Sequence, residues 1–489
     1  MAAQKQRSKP VRVKLDTTPD TYVLFLDMLE VSGLDNVEQV VGRAEKHAAN
    51  PVIPLGDFYS FDSRRAANWA ASLIHDEDDD LFKAWYFGCD KNHWSGIGYA
   101  ESPDGITWHK PVLNQFAYRD SKKNNICWCD GGGQTSHFEV NKDYEEKDEN
   151  RRFQALSYSE FGEGRHYYAL YSKDGKRWHP REKPLKWPVG DTGHFIYDHQ
   201  DPARQRRVKA YGQNGGGSGP DIEHLRPVTT HTMITPGEGR EQEIHFIFVI
   251  PYHGYYIMLY DFNLWAPYHG FEGLPEFREM QGRGKDGGIY IGDIRLAVSR
   301  DGMGKFERIQ PHRPVVERGE RGTWDSGFLV LGGGSGIIHK DEVYIFYTGI
   351  PEEGGAGFVG PVVPAAIQTG LAKLRLDGFT YLQNRDGVTP GSMTTQPIKV
   401  KNAARARLTV NAGQLMAYRD YIEVEVLDAR TGRPIAGYSQ AECNDILTDS
   451  VRSSVTWGRR KSLAGVKAAN IRLRFHMYGK AKLYSFTFK

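Results

Sequence analysis

The chain has 489 residues, long enough for about two to four domains with large hydrophobic cores. Lys and Arg number 63 and Asp and Glu 61, so the formal charge is only +2. We expect no nucleic-acid partner, because that would need a clustered basic surface. No apolar run reaches the roughly 18 residues of a membrane span, and no apolar segment follows the basic N-terminus. We therefore expect no membrane partner, and a cytoplasmic location, or a periplasmic or secreted one if a leader has been removed.

Aromatic residues make up 12% of the chain and 54 residues are glycine, a balance that suits a β protein with many turns. The four cysteines, Cys89, Cys127, Cys129 and Cys443, are too few for a disulfide framework. Their spacing does not fit a zinc site either, so we interpret them as ordinary thiols.

Residues 1–49 form a mixed lead-in that we expect to pack on the domain after it. Beyond them a short phrase recurs. "AESPDGITWHKP" contains Asp104, "YSKDGKRW" contains Asp174, "VSRDGMGKF" contains Asp301 and "LRLDGFTYL" contains Asp377. Asp104 and Asp174 are 70 residues apart, Asp301 and Asp377 are 76 apart, and the middle interval of 127 is close to two such steps. The spacing predicts five units, of which the third lacks the phrase.

Each unit also contains short aromatic and β-branched runs broken by Asp, Gly or charged turns, which is typical of strands. Repeats of this length, with about four strands each, are typical of propeller blades. We therefore predict an all-β chain with a five-bladed β-propeller over residues 50–390. Within it, residues 214–243 fit a long loop. The alternative is a sandwich of unrelated hairpins. Residues 391–489 read as a separate antiparallel β-sandwich, through which a homo-oligomer could form.

Several segments follow one another in a familiar order, among them "AEKHAANPVIP", "KAWYFG", "YAESPDGITWHKP", "TWDSGFLV", "YIFYTG" and "AKLRLDGFTYL". Together they resemble the five-bladed propeller glycoside hydrolases of families 32, 43, 68 and 117, and most closely a family-32-like bacterial group with an appended sandwich. The resemblance implies a carbohydrate substrate, hydrolysis of glycosidic bonds in a plant, algal or microbial glycan, and an exo-acting enzyme on a furanoside or similar terminal sugar. The invertase-type opening Trp-x-Asn-Asp-Pro-Asn and the Arg-Asp-Pro and Glu-Cys signatures of family 32 are absent, so no catalytic residue can be transferred by position.

The site must then be inferred from the blade starts, because the innermost strands of a propeller line its central channel. Glycoside hydrolysis needs two carboxyl groups, one to protonate the leaving oxygen and one to activate water or attack carbon. We predict Asp191 and Asp325 as the principal pair, with Asp62 or Glu243 as a third acid. The predicted substrate-binding residues are Gln134, His137, His194, His245, Arg64 and Trp324.

His137, His194 and His245 each fall at the start of a predicted inner strand, in consecutive blades. They could bind sugar hydroxyls, tune a general acid, or hold a divalent metal in the channel, although the predicted chemistry requires no cofactor. Two other functions stay open. A polysaccharide lyase would use a His and a Tyr on a uronate, and a carbohydrate-binding propeller would lack catalysis.

Overall fold

The structure is a computed structural model that describes residues 14–130, 137–161, 164–187, 189, 193–212, 215–229, 234, 244, 246–265, 290–351 and 366–489. The predicted residues Gln134, Asp191, Glu243 and His245 lie outside these ranges. The described residues form β-strands and short 3-10 helices, at Glu149–Arg151, Arg204–Arg206 and Gln440–Glu442, and contain no α-helix. The prediction of an all-β chain is confirmed.

The strands are numbered in chain order. The first seventeen are β1 (Leu15–Asp16), β2 (Tyr22–Leu24), β3 (Val31–Asp35), β4 (Val37–Val41), β5 (Glu45–Lys46), β6 (Arg65–Asp76), β7 (Leu81–Cys89), β8 (Ser95–Ser102), β9 (Ile126–Trp128), β10 (His137–Lys142), β11 (Phe153–Phe161), β12 (Gly164–Ser172), β13 (His179–Pro180), β14 (His194–Tyr197), β15 (Val208–Gly212), β16 (Gly215–Gly219) and β17 (Arg226–Thr229). The others are β18 (Ile247–Tyr252), β19 (Tyr255–Trp265), β20 (Tyr290–Ser299), β21 (Glu307–Arg308), β22 (Phe328–Leu331), β23 (Ile337–His339), β24 (Glu342–Ile350), β25 (Ile367–Arg375), β26 (Thr380–Asn384), β27 (Gly391–Thr395), β28 (Ile398–Lys399), β29 (Leu408–Gly413), β30 (Ile422–Asp428), β31 (Ser450–Ser454), β32 (Asn470–Met477) and β33 (Lys482–Phe488).

The chain divides into two compact units, one spanning Arg43–Arg375 and the other combining the residues up to Gly42 with Leu376–Lys489. These limits correct the sequence-based division at 1–49, 50–390 and 391–489. The lead-in is not an element of its own, because β1 to β4 pair with strands of the C-terminal unit. Residues 376–390 also belong to that unit. Residues 43–49 instead supply β5, which pairs with β25 of the first unit.

In the first unit, antiparallel pairing groups the strands into five successive sets of about four; two sets are separate four-stranded sheets, and the other three are joined into one thirteen-stranded sheet. We call each set a blade, after the predicted propeller. Blade 1 comprises β6 to β9, blade 2 β10 to β13, blade 3 β14 to β17, and blade 4 β18 to β21. Blade 5 takes β22, β24 and β25 from the end of the unit and β5 from its beginning. Two parallel bridges join neighbouring blades, Gly292 with Phe328 and Ile367 with Arg65.

Apolar clusters fill the spaces between successive blades. One contains Trp85 of blade 1 with Phe138 of blade 2, and another contains Phe82 of blade 1 with Phe346 of blade 5. Second strands such as β7 are buried along almost their whole length, because neighbouring blades cover both of their faces. Their sequences are therefore continuous apolar runs rather than alternating ones.

The recurrent phrase forms a tight turn after the third strand of a blade. Asp104 Oδ1 accepts the N–H groups of Ile106 and Thr107 at 2.8 Å each, and Gly105 has a φ of +72°. Asp174 and Asp301 repeat these contacts in blades 2 and 4. Asp104, Asp174 and Asp301 are therefore turn residues, not catalytic ones. Asp377, the fourth copy, lies in the second unit, where its Oδ2 accepts hydrogen bonds from Tyr22, Asn411 and Ser485.

Blade 3 lacks the Asp-Gly phrase, as the sequence indicated, yet it has the same turn, because Asp221 Oδ1 accepts the N–H groups of Glu223 and His224 at 2.9 Å each in the same position after a third strand. The predicted loop over 214–243 is wrong in part. Its residues include β16 and β17, because the glycine-rich run Gly215–Gly219 pairs with β15 as a fully buried strand.

The second unit contains two six-stranded sheets. One holds β1, β28, β32, β27, β3 and β30, and the other holds β31, β29, β33, β26, β4 and β2. In β32, Asn470–Met477, buried and partly exposed residues alternate, as expected for a strand with one face on a core. The buried faces form a single apolar cluster around Trp457, Phe475 and Phe486.

Candidate active site

The first strands of blades 1 to 3 are β6, β10 and β14. His137 and His194 are the first residues of β10 and β14, as the sequence predicted, and both side chains are buried. The inner strand of blade 1 begins at Arg65, whose guanidinium lies 5.8 Å from the centroid of the Trp69 ring. Burial lowers the pKa of Arg65, and the neighbouring Arg64 charge acts in the same direction. The inner strands thus begin with cationic, imidazole and aromatic side chains.

A buried acid that the sequence reasoning missed lies two residues further along β10. Glu139 is 4% exposed, and its Oε2 accepts the hydroxyl of Ser72 on β6 at 2.8 Å. Ser72 Oγ in turn accepts the N–H of Val140 at 2.8 Å, which fixes the hydroxyl between the two strands. Gly333 follows β22, and a Cβ on it would stand 2.2 Å from Glu139 Oε2. Residues from blades 1, 2 and 5 therefore meet around one carboxyl group.

Burial raises the pKa of Glu139 to about 8, against the opposing effect of hydrogen bonds from Ser72 and Gly333. No lysine or arginine of the described residues forms an ion pair with this carboxyl group. A buried carboxyl group without a counter-charge holds its proton, because ionisation in a low-dielectric site is costly. Glu139 is thus a carboxylic acid, not a carboxylate, at neutral pH.

The predicted acid Asp62 has a different environment. Its Oδ2 accepts the Tyr86 hydroxyl and the Lys110 ammonium, both at 2.7 Å, and its Oδ1 accepts the Ser60 hydroxyl at 2.7 Å. The residue is 2% exposed. Lys110 forms an ion pair with this carboxylate, and both carboxylate oxygens accept hydrogen bonds.

Asp325 repeats this arrangement in blade 5. Its Oδ2 accepts the Lys46 ammonium at 2.5 Å and the Tyr347 hydroxyl at 3.0 Å, and its Oδ1 accepts the Thr323 hydroxyl at 3.1 Å. The two acids occur in matching sequences, Ser60-Phe-Asp-Ser63 and Thr323-Trp-Asp-Ser326. A carboxylate that recurs with the same lysine, tyrosine and hydroxyl partners in two blades has the character of a structural clamp. The structure gives Asp62 and Asp325 separate partner sets in separate blades.

The aromatic residue before each clamp packs on its own blade. Trp324 stacks on Tyr347 with ring centroids 5.7 Å apart and an interplanar angle of 19°, and Phe61 stacks on Tyr86 at 6.2 Å and 21°. A glycine lies beneath each ring, because a Cβ on Gly349 would meet Trp324 at 2.3 Å and one on Gly88 would meet Phe61 at 2.2 Å. This packing favours a scaffold role for Trp324 over sugar stacking.

The remaining predicted binding residues differ in their surroundings. His194 is sandwiched by Phe248 and Tyr211, with ring centroids 4.9 Å and 5.4 Å away. Its Nε2 accepts the Val249 N–H at 3.2 Å, and burial lowers its pKa to about 3, so the ring is neutral. His137 lies beside the Tyr167 ring at 6.2 Å. Arg64 Nη1 lies 3.4 Å from His93 Nδ1.

Beyond Glu139, a cavity of about 210 Å³ opens between the later residues of the inner strands. Its wall includes Leu73 and His75 of β6, Asn141 of β10, Phe248 of β18 and Gly334 after β22. Within the described residues no group of three His, Cys, Asp or Glu side chains is placed to hold a metal ion. His245, a member of the predicted histidine triplet, lies outside that part of the chain.

A sequence signal for Glu139 exists. Matching words occur three times in the sequence, "HFEV" at His137, "HFIY" at His194 and "HFIF" at His245. The first two open β10 and β14, and Ile247 of the third opens β18. The third position is Ile in two of them and Glu only in the first. An acid that replaces an apolar residue in a buried strand is the exception in this pattern, and exceptions of that kind mark candidate functional residues.

No protein-family model matches the chain, and no curated protein matches it. Among solved structures, it is similar to a glycosyl hydrolase from Bacteroides ovatus at 16% identity and a TM-score of 0.45, over 68% of this chain and 94% of that one. An α-L-arabinofuranosidase from Podospora anserina, in complex with cellotriose, gives 11% identity and a TM-score of 0.41, over 68% and 97%. A third similar structure carries a description of the GH130 family of mannoside phosphorylases, which contains glycoside hydrolases that target β-1,2-mannosidic linkages in Candida mannan. It gives 15% identity and a TM-score of 0.44, over 68% and 94%.

The similar structures are thus described as glycoside hydrolases, whereas the narrower family-32-like grouping has no match and stays a prediction. At these identities and scores the role of each residue has to be argued from its own chemistry. No helix among the described residues is long and apolar enough to cross a membrane.

Proposed function

We propose that this chain is a glycoside hydrolase in which Glu139 is the general acid. The observation that carries the proposal is a buried carboxyl group on an inner strand, protonated at neutral pH, with no lysine or arginine among the described residues paired to it. Glycosidases need one carboxyl group in that state, and they obtain it by placing the acid in an apolar, cation-free environment. Asp62 and Asp325, by contrast, are each paired to a lysine.

In the proposed reaction Glu139 gives its proton to the glycosidic oxygen as the bond from that oxygen to the anomeric carbon breaks. Ser72 holds Oε2 by its hydroxyl, which leaves Oε1 as the proton-bearing atom in this scheme. An ionised carboxylate on the other side of the sugar then activates water or attacks the anomeric carbon. Asp191 and Glu243, which precede β14 and β18 in the sequence, are the proposed source of this group. A terminal furanoside as the substrate rests on the family resemblance alone.

The test compares the wild type with Glu139→Gln on a panel of plant, algal and microbial glycans, with reducing ends as the readout. Glutamine keeps the shape and neutrality of the protonated acid but cannot give up a proton. We expect hydrolysis to fall about 100- to 10,000-fold while the far-ultraviolet circular dichroism stays unchanged. Glu182→Gln, an exposed acid in blade 2, is the matched control and should retain full activity.

A second readout separates catalysis from structure. An aryl glycoside whose phenol is a good leaving group needs little protonation, so Glu139→Gln should recover most of its rate on that substrate. In the wild type, activity on unactivated glycans should fall above a pH of about 8, where Glu139 loses its proton. Full activity of Glu139→Gln on an unactivated glycan contradicts the assignment.

A polysaccharide lyase is the second candidate, and one contact favours it. His137 lies beside Tyr167 at 6.2 Å between ring centroids, and a His with a Tyr can serve as base and acid on a uronate. A lyase produces an unsaturated uronate that absorbs in the ultraviolet, whereas hydrolysis does not. If neither product forms on any glycan while binding persists, the chain is a carbohydrate-binding propeller.

A further inference from the structure

Two large aromatic side chains are exposed side by side at the start of blade 1. Phe58 is 61% exposed and Tyr59 is 70% exposed, with ring centroids 5.2 Å apart. A turn holds them there, because Asp57 Oδ1 accepts the Tyr59 N–H at 2.9 Å. Exposed aromatic pairs are costly to keep in water, and they are found where a ligand covers them.

A packed aromatic cluster neighbours this pair, because the Arg119 guanidinium lies over the Tyr59 ring and also over the Tyr118 ring of the cluster. Phe61, Trp94 and Tyr118 pack edge to face, with ring centroids 5.0 to 6.3 Å apart. Asp90 fixes the turn at residues 90–94, since its Oδ1 accepts the Trp94 N–H at 2.9 Å and its Oδ2 accepts the Tyr118 hydroxyl at 2.7 Å. The Tyr59 ring is thus connected through Arg119 to a preorganised aromatic cluster, which lowers the entropy cost of binding.

Each exposed ring has its own cation. Lys91 Nζ lies 3.7 Å from the Phe58 centroid, and Arg119 Cζ lies 5.8 Å from the Tyr59 centroid. Lys122 and Lys123 are exposed in the same loop as Arg119. Of the acids in these segments, Asp90 is buried, and only Asp57 and Asp120 are exposed. The exposed charges are thus four cations against two acids, and the surface favours an anionic ligand.

We propose that the surface formed by Phe58, Tyr59, Lys91 and Arg119, here called the blade-1 patch, binds a carboxylate-bearing polysaccharide. The inference rests on the proposed glycan-directed function and adds the charge class of the glycan. A sugar ring stacks on each aromatic face, and its exocyclic carboxylate meets the neighbouring cation. Arg119 pairs with a planar carboxylate through two parallel N–H bonds, a geometry that suits a uronate.

The blade-1 patch also runs toward the inner strands. His93 follows Lys91 by two residues, and its Nδ1 lies 3.4 Å from Arg64 Nη1. Arg64 is followed directly by Arg65, the first residue of β6. Lys91, His93 and Arg64 therefore lead from the exposed rings to the start of an inner strand, and this is the proposed course of an extended acidic polysaccharide whose end enters the site.

The test is affinity electrophoresis of the full chain in native gels that contain polygalacturonate. The matched ligand is fully methyl-esterified polygalacturonate, which keeps the sugar rings and loses the charge, and dextran sulfate is the third gel. We expect retardation in polygalacturonate, weaker at higher salt, and none in the methyl ester. Phe58→Ala, Tyr59→Ala and Arg119→Gln should each weaken binding roughly tenfold. Tyr418→Ala and Lys305→Gln, an exposed tyrosine of the second unit and an exposed lysine of blade 4, should bind as the wild type does.

Three results would overturn the proposal: no retardation by polygalacturonate, equal retardation by the methyl ester, or retardation by dextran sulfate alone. Unchanged binding by the three patch variants overturns it as well. Comparing the gel result of the wild type with its turnover of the glycan panel separates the two proposals. Binding without turnover of any glycan contradicts the hydrolase and leaves the patch intact, whereas hydrolysis of neutral glycans without polygalacturonate binding does the reverse.

Discussion

Replacing Glu139 with Gln should stabilise the propeller, and increasingly so as the pH rises. The pKa of Glu139 is raised by burial from 4.5 to about 8, so between these values the folded chain keeps a proton that the unfolded chain has lost. Folding stability then falls with rising pH by about 1.4 kcal/mol per unit. The accumulated loss is about 3 kcal/mol at pH 7 and about 4 kcal/mol at pH 8, and it approaches about 5 kcal/mol above that pH. A glutamine side chain at this position does not titrate and can still accept the Ser72 hydroxyl, so the variant escapes this loss.

The measurement is urea unfolding at pH 4, 5, 6, 7 and 8, followed by tryptophan fluorescence, for the wild type and Glu139→Gln. The free-energy difference should be close to zero at pH 4 and grow toward pH 8. A constant offset, equal at every pH, is the contribution of altered packing and does not bear on the argument. A difference that stays flat with pH refutes the assignment of a protonated buried acid.

Asp325→Asn and Asp62→Asn should each lower the free energy of unfolding by about 2 kcal/mol, because Lys46 or Lys110 loses its counter-charge while remaining partly exposed. Denaturant titration checks this, and specific activity of the folded protein should stay at the wild-type level, against the sequence-based expectation. His194→Phe should gain stability relative to the wild type as the pH falls below 6.5, since the folded pKa of about 3 means that only the unfolded chain takes up a proton there. The slope of that difference in acid unfolding curves is the readout, and a flat difference contradicts a neutral buried ring. Asp104→Ala should cost about 1 kcal/mol by loss of the turn hydrogen bonds, with no change in glycan turnover.

The titrations of Glu139 and His194 act in opposite directions. Below pH 4.5 only His194 makes stability depend on pH, and stability rises with pH. Above 6.5 only Glu139 does so, and stability falls with pH. Between these values the two slopes cancel. From these two groups alone, stability should be greatest on a plateau between pH 4.5 and 6.5. His194→Phe should remove the fall in stability on the acid side, and Glu139→Gln should remove the fall on the alkaline side.

The architecture could be predicted from the sequence because the blades are repeated units. A turn motif that recurs in several units can be recognised even where the rest of their sequences differ. The turn phrase after the third strand identified blades 1, 2 and 4, and its Asp-Gly core needs a residue at positive φ, such as Gly105. The turn of blade 3 was not recognised, because Asp221 makes the same contacts within a different sequence. The domain limits were wrong for a topological reason. Strands β1 to β4 and β5 pair with partners more than 300 residues away, and no local pattern encodes such pairing.

Repetition also distinguishes structural acids from candidate catalytic acids. The sequence-based reasoning applied this criterion to some of the repeated acids but not to others. It dismissed Asp104 as catalytic because the phrase recurs, yet kept Asp62 and Asp325, which recur in the same way within Ser-Phe-Asp-Ser and Thr-Trp-Asp-Ser. The structure shows why that recurrence matters, since both carboxylates are bound to a lysine, a tyrosine and a hydroxyl of their own blade. A single catalytic site uses each acid once. Glu139 meets that criterion, because the same position in the matching words of the next two blades is Ile196 and Ile247. Its burial leaves it protonated, whereas Asp62 and Asp325 are each paired to a lysine.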